Sequence, residues 1–199
     1  RAEKMLKEKC GITACTYHSF CVKMLRFYAS FAGISPNFSI ISSPDEADII
    51  DIAKTELNFQ RLSNMPTGTV FASMLSTCVN KGISLEDLLT EQRYWKFRQN
   101  EKKLLALKRK VARYKEEHNL LNYDDILLKF NSMLASYPDV AKKIEDTYQY
   151  IMVDEYQDTN VLQDSIIKKI RKYNQNLMVV GDDMQSIYRF RGADVRNIL

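Results

Sequence analysis

The chain has 199 residues, 45% of them hydrophobic and 27% charged, enough for one ordinary domain or one with a small insertion, and not the composition of a disordered chain. Collagen, a coiled-coil rod and a disulfide scaffold are excluded, and no apolar run reaches the roughly 18–20 residues of a membrane helix. The net charge is only +4, but ten Lys/Arg and a single acid (Glu101) fall between Arg93 and Lys115, a local +9 that leaves −5 elsewhere and points to a polyanionic partner.

In chain order, the opening "RAEKMLKEK" reads as the middle of a charged helix with no apolar h-region. Gly11–Thr16 is a β-type run. A helical pattern follows from His18 to about Ala32, stopped by Gly33, and Phe38–Ile41 suits a short strand. Ser43-Pro44-Asp45-Glu46 has the form of a capping box, with Ser43 as cap and Glu46 three residues on, and its helix runs to about Leu57. A helix over Pro66–Lys81 is closed by Gly82, and Ser84 with Asp87 starts a short one. A long helix covers roughly Glu91–His118, with Phe97, Leu104, Leu107, Val111 and Tyr114 on one face. Asn122-Tyr123-Asp124-Asp125 opens a helix to about Tyr137, and Pro138–Asp146 is another. Asp124 and Asp125 read as helix-start residues rather than catalytic ones. Tyr94 and Trp95 suit a core or a helix-anchoring role.

The texture then changes. Tyr150–Val153 is a short apolar run, Thr159–Lys172 an amphipathic helix, and Leu177–Val180 a second apolar run. This alternation predicts parallel strands buried on both faces. The two ends of the chain thus read as α/β and the middle as a helical insertion. The closing Arg196–Leu199 lacks a helix stop, as expected of a piece of a longer chain. The four cysteines (Cys10, Cys15, Cys21, Cys78) form no CxxC pair and have two histidines beside them, so reduced thiols in a cytoplasmic protein are expected, not a metal site.

Both apolar runs end in acids: Asp154 and Glu155 after the first, Asp182 and Asp183 after the second. Ligands of open parallel sheets bind beyond the carboxyl ends of the strands. Asp154, at the strand terminus, suits a nucleotide-bound Mg²⁺, which wants hard oxygen ligands. Glu155, one residue on, can accept a proton from an attacking water.

"IMVDEYQDTN" followed by "MVVGDDMQSIYRFRGAD" resembles motifs II and III of the superfamily 1 DNA helicases of the UvrD/Rep/PcrA type. "TYHSF" (Thr16–Phe20) resembles their motif Ib, "NYDDIL" (Asn122–Leu127) the block where the chain returns from an inserted domain, and "RAEKM" the tail of motif Ia. The matches run in order along the whole chain. The resemblance implies an α/β fold, part of a RecA-like P-loop NTPase sheet (1A) over residues 1–44 and 121–199, with the helical insertion (1B) over 45–120.

It further implies that Asp154 holds Mg²⁺, Glu155 activates the hydrolytic water and Gln185 senses the γ-phosphate of ATP, with Gln157 supporting that network. Tyr188 and Phe190 would stack on bases of single-stranded DNA; many family members carry Trp at the latter place, and the smaller ring should grip less. Arg191 would couple the DNA and nucleotide sites. Thr16 and His18 would contact the DNA backbone, with Ser19 as an alternative helix cap. The basic helix, with Lys102, Lys103, Arg109 and Arg113 among its cations, would track phosphates. The implied function is ATP-dependent 3′–5′ translocation and unwinding, acting on single strands and single-strand/duplex junctions with a second RecA-like domain. No G-x-x-x-x-G-K-[ST] occurs in these 199 residues, so this chain alone is expected to be inactive. The rivals are the helicase subunit of a nuclease–helicase complex and a non-catalytic DNA-binding module.

Overall fold

Side chains that replace missing first-turn partners set most of the helix starts. In the computed structural model, which describes residues 11–182, Thr16 caps α1 (Tyr17–Phe27), Ser42 caps α2 (Ser43–Glu56), Thr67 caps α3 (Gly68–Lys81) and Ser84 caps α4 (Leu85–Leu88). A 3-10 stretch (Trp95–Asn100) leads into α5 (Glu101–Glu117). Asn122 caps α6 (Tyr123–Ser136), α7 spans Pro138–Thr147, and Asn160 caps α8 (Val161–Ile170). Ser42, Ser84, Asn122 and Asn160 each form a reciprocal capping box with the residue three further on.

Strand β1 (Ser39–Ile40) pairs in parallel with β2 (Leu120–Leu121), in the register Ser39 to Leu120. The chain therefore leaves at Ile41 and returns beside its point of departure. β3 (Ile151–Val153) pairs in parallel with β4 (Leu177–Val179), Ile151 facing Leu177. Two hydrophobic clusters follow from this path. One gathers Leu25 of α1, Ile126 and Phe130 of α6, Ile144 of α7 and Ile166 of α8. The other gathers Ile50, Phe71, Met74, Leu85, Leu88, Leu104 and Leu107, from α2 to α5. The anticipated stripe of the long helix lies in this second core: Phe97, Leu104, Leu107 and Val111 are buried, with Tyr114 packed at its margin.

Several local expectations are corrected. Residues 11–16 form no strand and pair with no strand among the described residues. α1 stops at Phe27, earlier than expected, but the chain continues through turns to Gly33 (φ +63°). There Ile34 N–H bonds to Ala29 O and Gly33 N–H to Ser30 O, the paired bonds of a glycine-terminated helical turn. The cap of α2 is Ser42 with Asp45, one residue before the expected pair. The stretch before α5 is 3-10 rather than α, and Trp95 is exposed while Tyr94 is buried. The β3–β4 sheet is not covered on both faces: Val153 is buried, but Met152 and Met178 are 72% and 54% exposed. Strand residues alternate between faces, and the packed face meets Tyr17, Tyr156 and Ile167.

Candidate active site

The acids after β3 sit where the sheet ends. Val180 N–H donates to Val153 O (2.8 Å) and Tyr156 N–H to Val180 O (2.9 Å), so the chain leaving β4 clasps the turn that carries Asp154 and Glu155. Glu155 adopts a left-handed backbone (φ 51°, ψ 42°), a conformation that costs a non-glycine residue about 1–2 kcal/mol. Local bonds hold it there. Glu155 N–H donates to Asp154 Oδ1 (3.0 Å), and Asp158 N–H donates to Glu155 O (2.9 Å).

Gln157 ties the two strand ends together. Its side chain is 1% exposed. Its Nε2 donates to Glu155 Oε2 (2.6 Å), and its Oε1 accepts from Asp182 N–H (3.0 Å). A buried amide thus aims an exposed carboxylate, and both Asp154 and Glu155 face solvent. Between them and Gln157, Tyr156 turns inward. Its hydroxyl donates to Asp164 Oδ1 (2.7 Å), and burial, together with that carboxylate, pushes the phenol above its usual range.

The "TYHSF" segment meets this turn through a residue the sequence reading passed over. Tyr17 packs on Val153, Tyr156 and Ile167; burial raises its phenol, against a hydrogen bond with Thr159 that lowers it. The signal available was an aromatic residue inside the motif, on the inward side of a short amphipathic helix. Thr16 caps α1: its Oγ1 accepts from Ser19 N–H (3.3 Å) and donates to Ser19 Oγ (3.0 Å). Ser19 is therefore not the cap. His18 stands edge-on to Tyr123 (5.4 Å between centroids), and burial holds its imidazole below the usual value.

The basic helix is less uniformly free than its composition suggests. Lys102, Lys103, Arg109 and Arg113 are exposed. Lys102, Arg109 and Arg113, seven and four residues apart, share the face opposite the core. Arg113 pairs with Glu117 (2.7 Å) and Lys110 with Glu56 (2.7 Å). Lys115, expected on the phosphate-tracking surface, is instead buried between Glu46 (3.2 Å) and Asp125 (2.6 Å). Gln185, Tyr188, Phe190 and Arg191 lie outside the described residues.

A family model described as the UvrD/REP helicase N-terminal domain matches residues 1–199. Among curated proteins, the ATP-dependent DNA helicase PcrA of Staphylococcus epidermidis is 33% identical over 201 residues, covering 100% of this chain and 27% of its own length. The ATP-dependent DNA helicase PcrA of Staphylococcus aureus is 32% identical over the same span, with the same coverage. The chain thus spans about a quarter of these relatives.

Proposed function

The chain belongs to the UvrD/REP helicase N-terminal domain family, and from that premise we propose that it is part of an ATP-dependent 3′–5′ DNA helicase, with the nucleotide at the β3–β4 edge. The observation that carries this reading is the Asp154–Glu155 pair at the carboxyl end of a parallel strand, clasped by the end of its neighbour. The surrounding fold is read as RecA-like 1A, with 45–120 as 1B. The parallel β1–β2 pairing across that excursion and the separate core of α2–α5 support the division.

The donor set fits Mg²⁺. Asp154 offers an exposed carboxylate at the strand end, a single hard oxygen ligand. That suits an ion whose remaining ligands are nucleotide phosphates and waters. When bound, the ion neutralises charge on the phosphates. Glu155 takes the proton of the attacking water, and Gln157 fixes the carboxylate that does so. Gln185 contacts the γ-phosphate, Tyr188 and Phe190 stack on bases, Arg191 links the two, and Thr16 and His18 meet the DNA backbone. Without a P-loop in its sequence, this chain alone is inactive.

The test is ATP hydrolysis by the full-length protein, with and without single-stranded DNA. DNA-stimulated turnover that falls by about 10²–10⁴ in Glu155→Gln is expected for loss of a general base. Turnover unchanged by that substitution would remove Glu155 from the mechanism.

A further inference from the structure

The chain's one tryptophan lies outside the acidic edge and outside both cores. Trp95 is 65% exposed, although burying an indole is among the largest apolar gains a fold can make. Its neighbours Tyr94 and Phe97 are both buried at 6%, so the 3-10 stretch is anchored through them and Trp95 is directed outward.

Trp95 stands in an open groove of about 620 Å³ lined by Asn64, Gln92, Trp95, Lys96, Arg98 and Gln99. This lining contains one indole, three primary amides and two cations, and no carboxylate. The facing wall is built from within. Buried Asn100 donates through Nδ2 to Ser63 O (2.8 Å) and Asn64 O (3.0 Å), which pins the 63–64 loop, where Asn64 has a left-handed backbone (φ 55°). Lys96 Nζ lies 5.0 Å from the Phe97 ring centroid, a cation–π contact at the groove.

We propose that this groove on the helical insertion binds an unpaired base of single-stranded DNA, stacked on Trp95 and held at its phosphate by Arg98. The assignment rests on the reading of the chain as part of a DNA motor. Stacking on an exposed indole face needs a base free of its partner. Primary amides both donate and accept, as base edges require, and a lining of cations without acids complements a phosphodiester chain. From Lys102 to Arg109 the exposed cations on one face of α5 extend the positive path by roughly 10 Å at 1.5 Å per residue. This contact is proposed in addition to the stacking by Tyr188 and Phe190.

The full-length protein is irradiated with a single strand carrying 5-iododeoxyuridine, and adducts are mapped by mass spectrometry. In parallel, affinity for a labelled single strand is read by anisotropy for Trp95→Ala and Trp95→Phe. The expected result is an adduct at Trp95, a loss of affinity of about fivefold or more in the alanine variant, the lower bound for one stacked base, and retention of most of it in the phenylalanine variant. An adduct map without the 92–99 segment overturns the proposal, as does an alanine variant that weakens binding of duplex but not of single strands. DNA-stimulated ATP hydrolysis with no Trp95 adduct rejects this groove alone. A Trp95 adduct in a protein without ATPase activity keeps the groove and rejects the motor.

Discussion

Replacing Lys115 by Met tests whether a buried charge cluster joins the two cores. Lys115 Nζ lies 3.2 Å from Glu46 Oε1 and 2.6 Å from Asp125 Oδ2, with 11%, 8% and 24% of the respective side chains exposed. The three residues come from α5, α2 and α6. Removing the ammonium leaves two largely enclosed carboxylates without their counter-ion, and breaking a buried pair typically costs about 3–5 kcal/mol. The lower end applies here, because Asn122 still donates to both: Nδ2 to Glu46 (2.6 Å) and N–H to Asp125 (3.0 Å). About 3 kcal/mol corresponds to roughly a hundredfold loss of protection, read as amide exchange over 43–56, 101–117 and 123–136 in the full-length protein. Lys115→Met/Glu46→Gln should recover about 1 kcal/mol, since one orphaned charge is gone. Burial by itself would lower the Lys115 ammonium, but Asp125 and Glu46 outweigh it and leave it raised above 10.5. A raised cationic pKa stabilises the fold at all pH values below the unfolded one, and that gain is lost as pH climbs through the folded value. The difference between wild type and variant should therefore be flat from pH 7 to 9 and shrink only above about 10.5. A variant with unchanged protection, or a difference that disappears between pH 7 and 9, refutes the reasoning.

Three further substitutions probe the second core by thermal or denaturant unfolding. Ser42→Ala should cost about 1 kcal/mol and Ser43→Ala under about 0.5, because Ser42 alone caps α2; the reverse order would restore the cap to Ser43. Gly68→Ala should cost about 1–3 kcal/mol, since a Cβ there would collide with Ala47 O and lie 2.7 Å from Asp51 Oδ2. Wild-type stability in that variant would mean that α2 and α3 can separate without loss.

Helix positions were legible where the signal was local. Ser84 with Asp87, Gly82 as a stop and the apolar stripe through Leu104, Leu107 and Val111 all depend on residues within two turns of each other. The start of α2 was ambiguous for a physical reason. "SSPDE" offers two overlapping boxes, Ser42 with Asp45 and Ser43 with Glu46, and both satisfy the pattern. The choice is made far away, because Glu46 is taken by Lys115, 69 residues on, and by Asn122, 76 residues on. Asp45 is left to close the box with Ser42. The strands erred in the same manner: an apolar run reports that a segment can be buried, whereas which face is covered depends on where α1 and α8 pack.

The candidate site shows the same division between what is near and what is far. The placement of Asp154 and Glu155 directly after a strand was legible because a tetrad of sequence encodes it. The aim of Glu155 was not, since it comes from a buried amide that also binds the backbone after β4, 25 residues away. The charge between Arg93 and Lys115 divides similarly. A count of ten cations treats them alike, but Lys115 neutralises carboxylates inside the fold, while Lys110 and Arg113 are paired at its surface. Among the described residues the exposed cations of α5 without an ion pair are therefore Lys102, Lys103, Lys108 and Arg109, nearer the Trp95 end of the helix than a uniform stripe would put them.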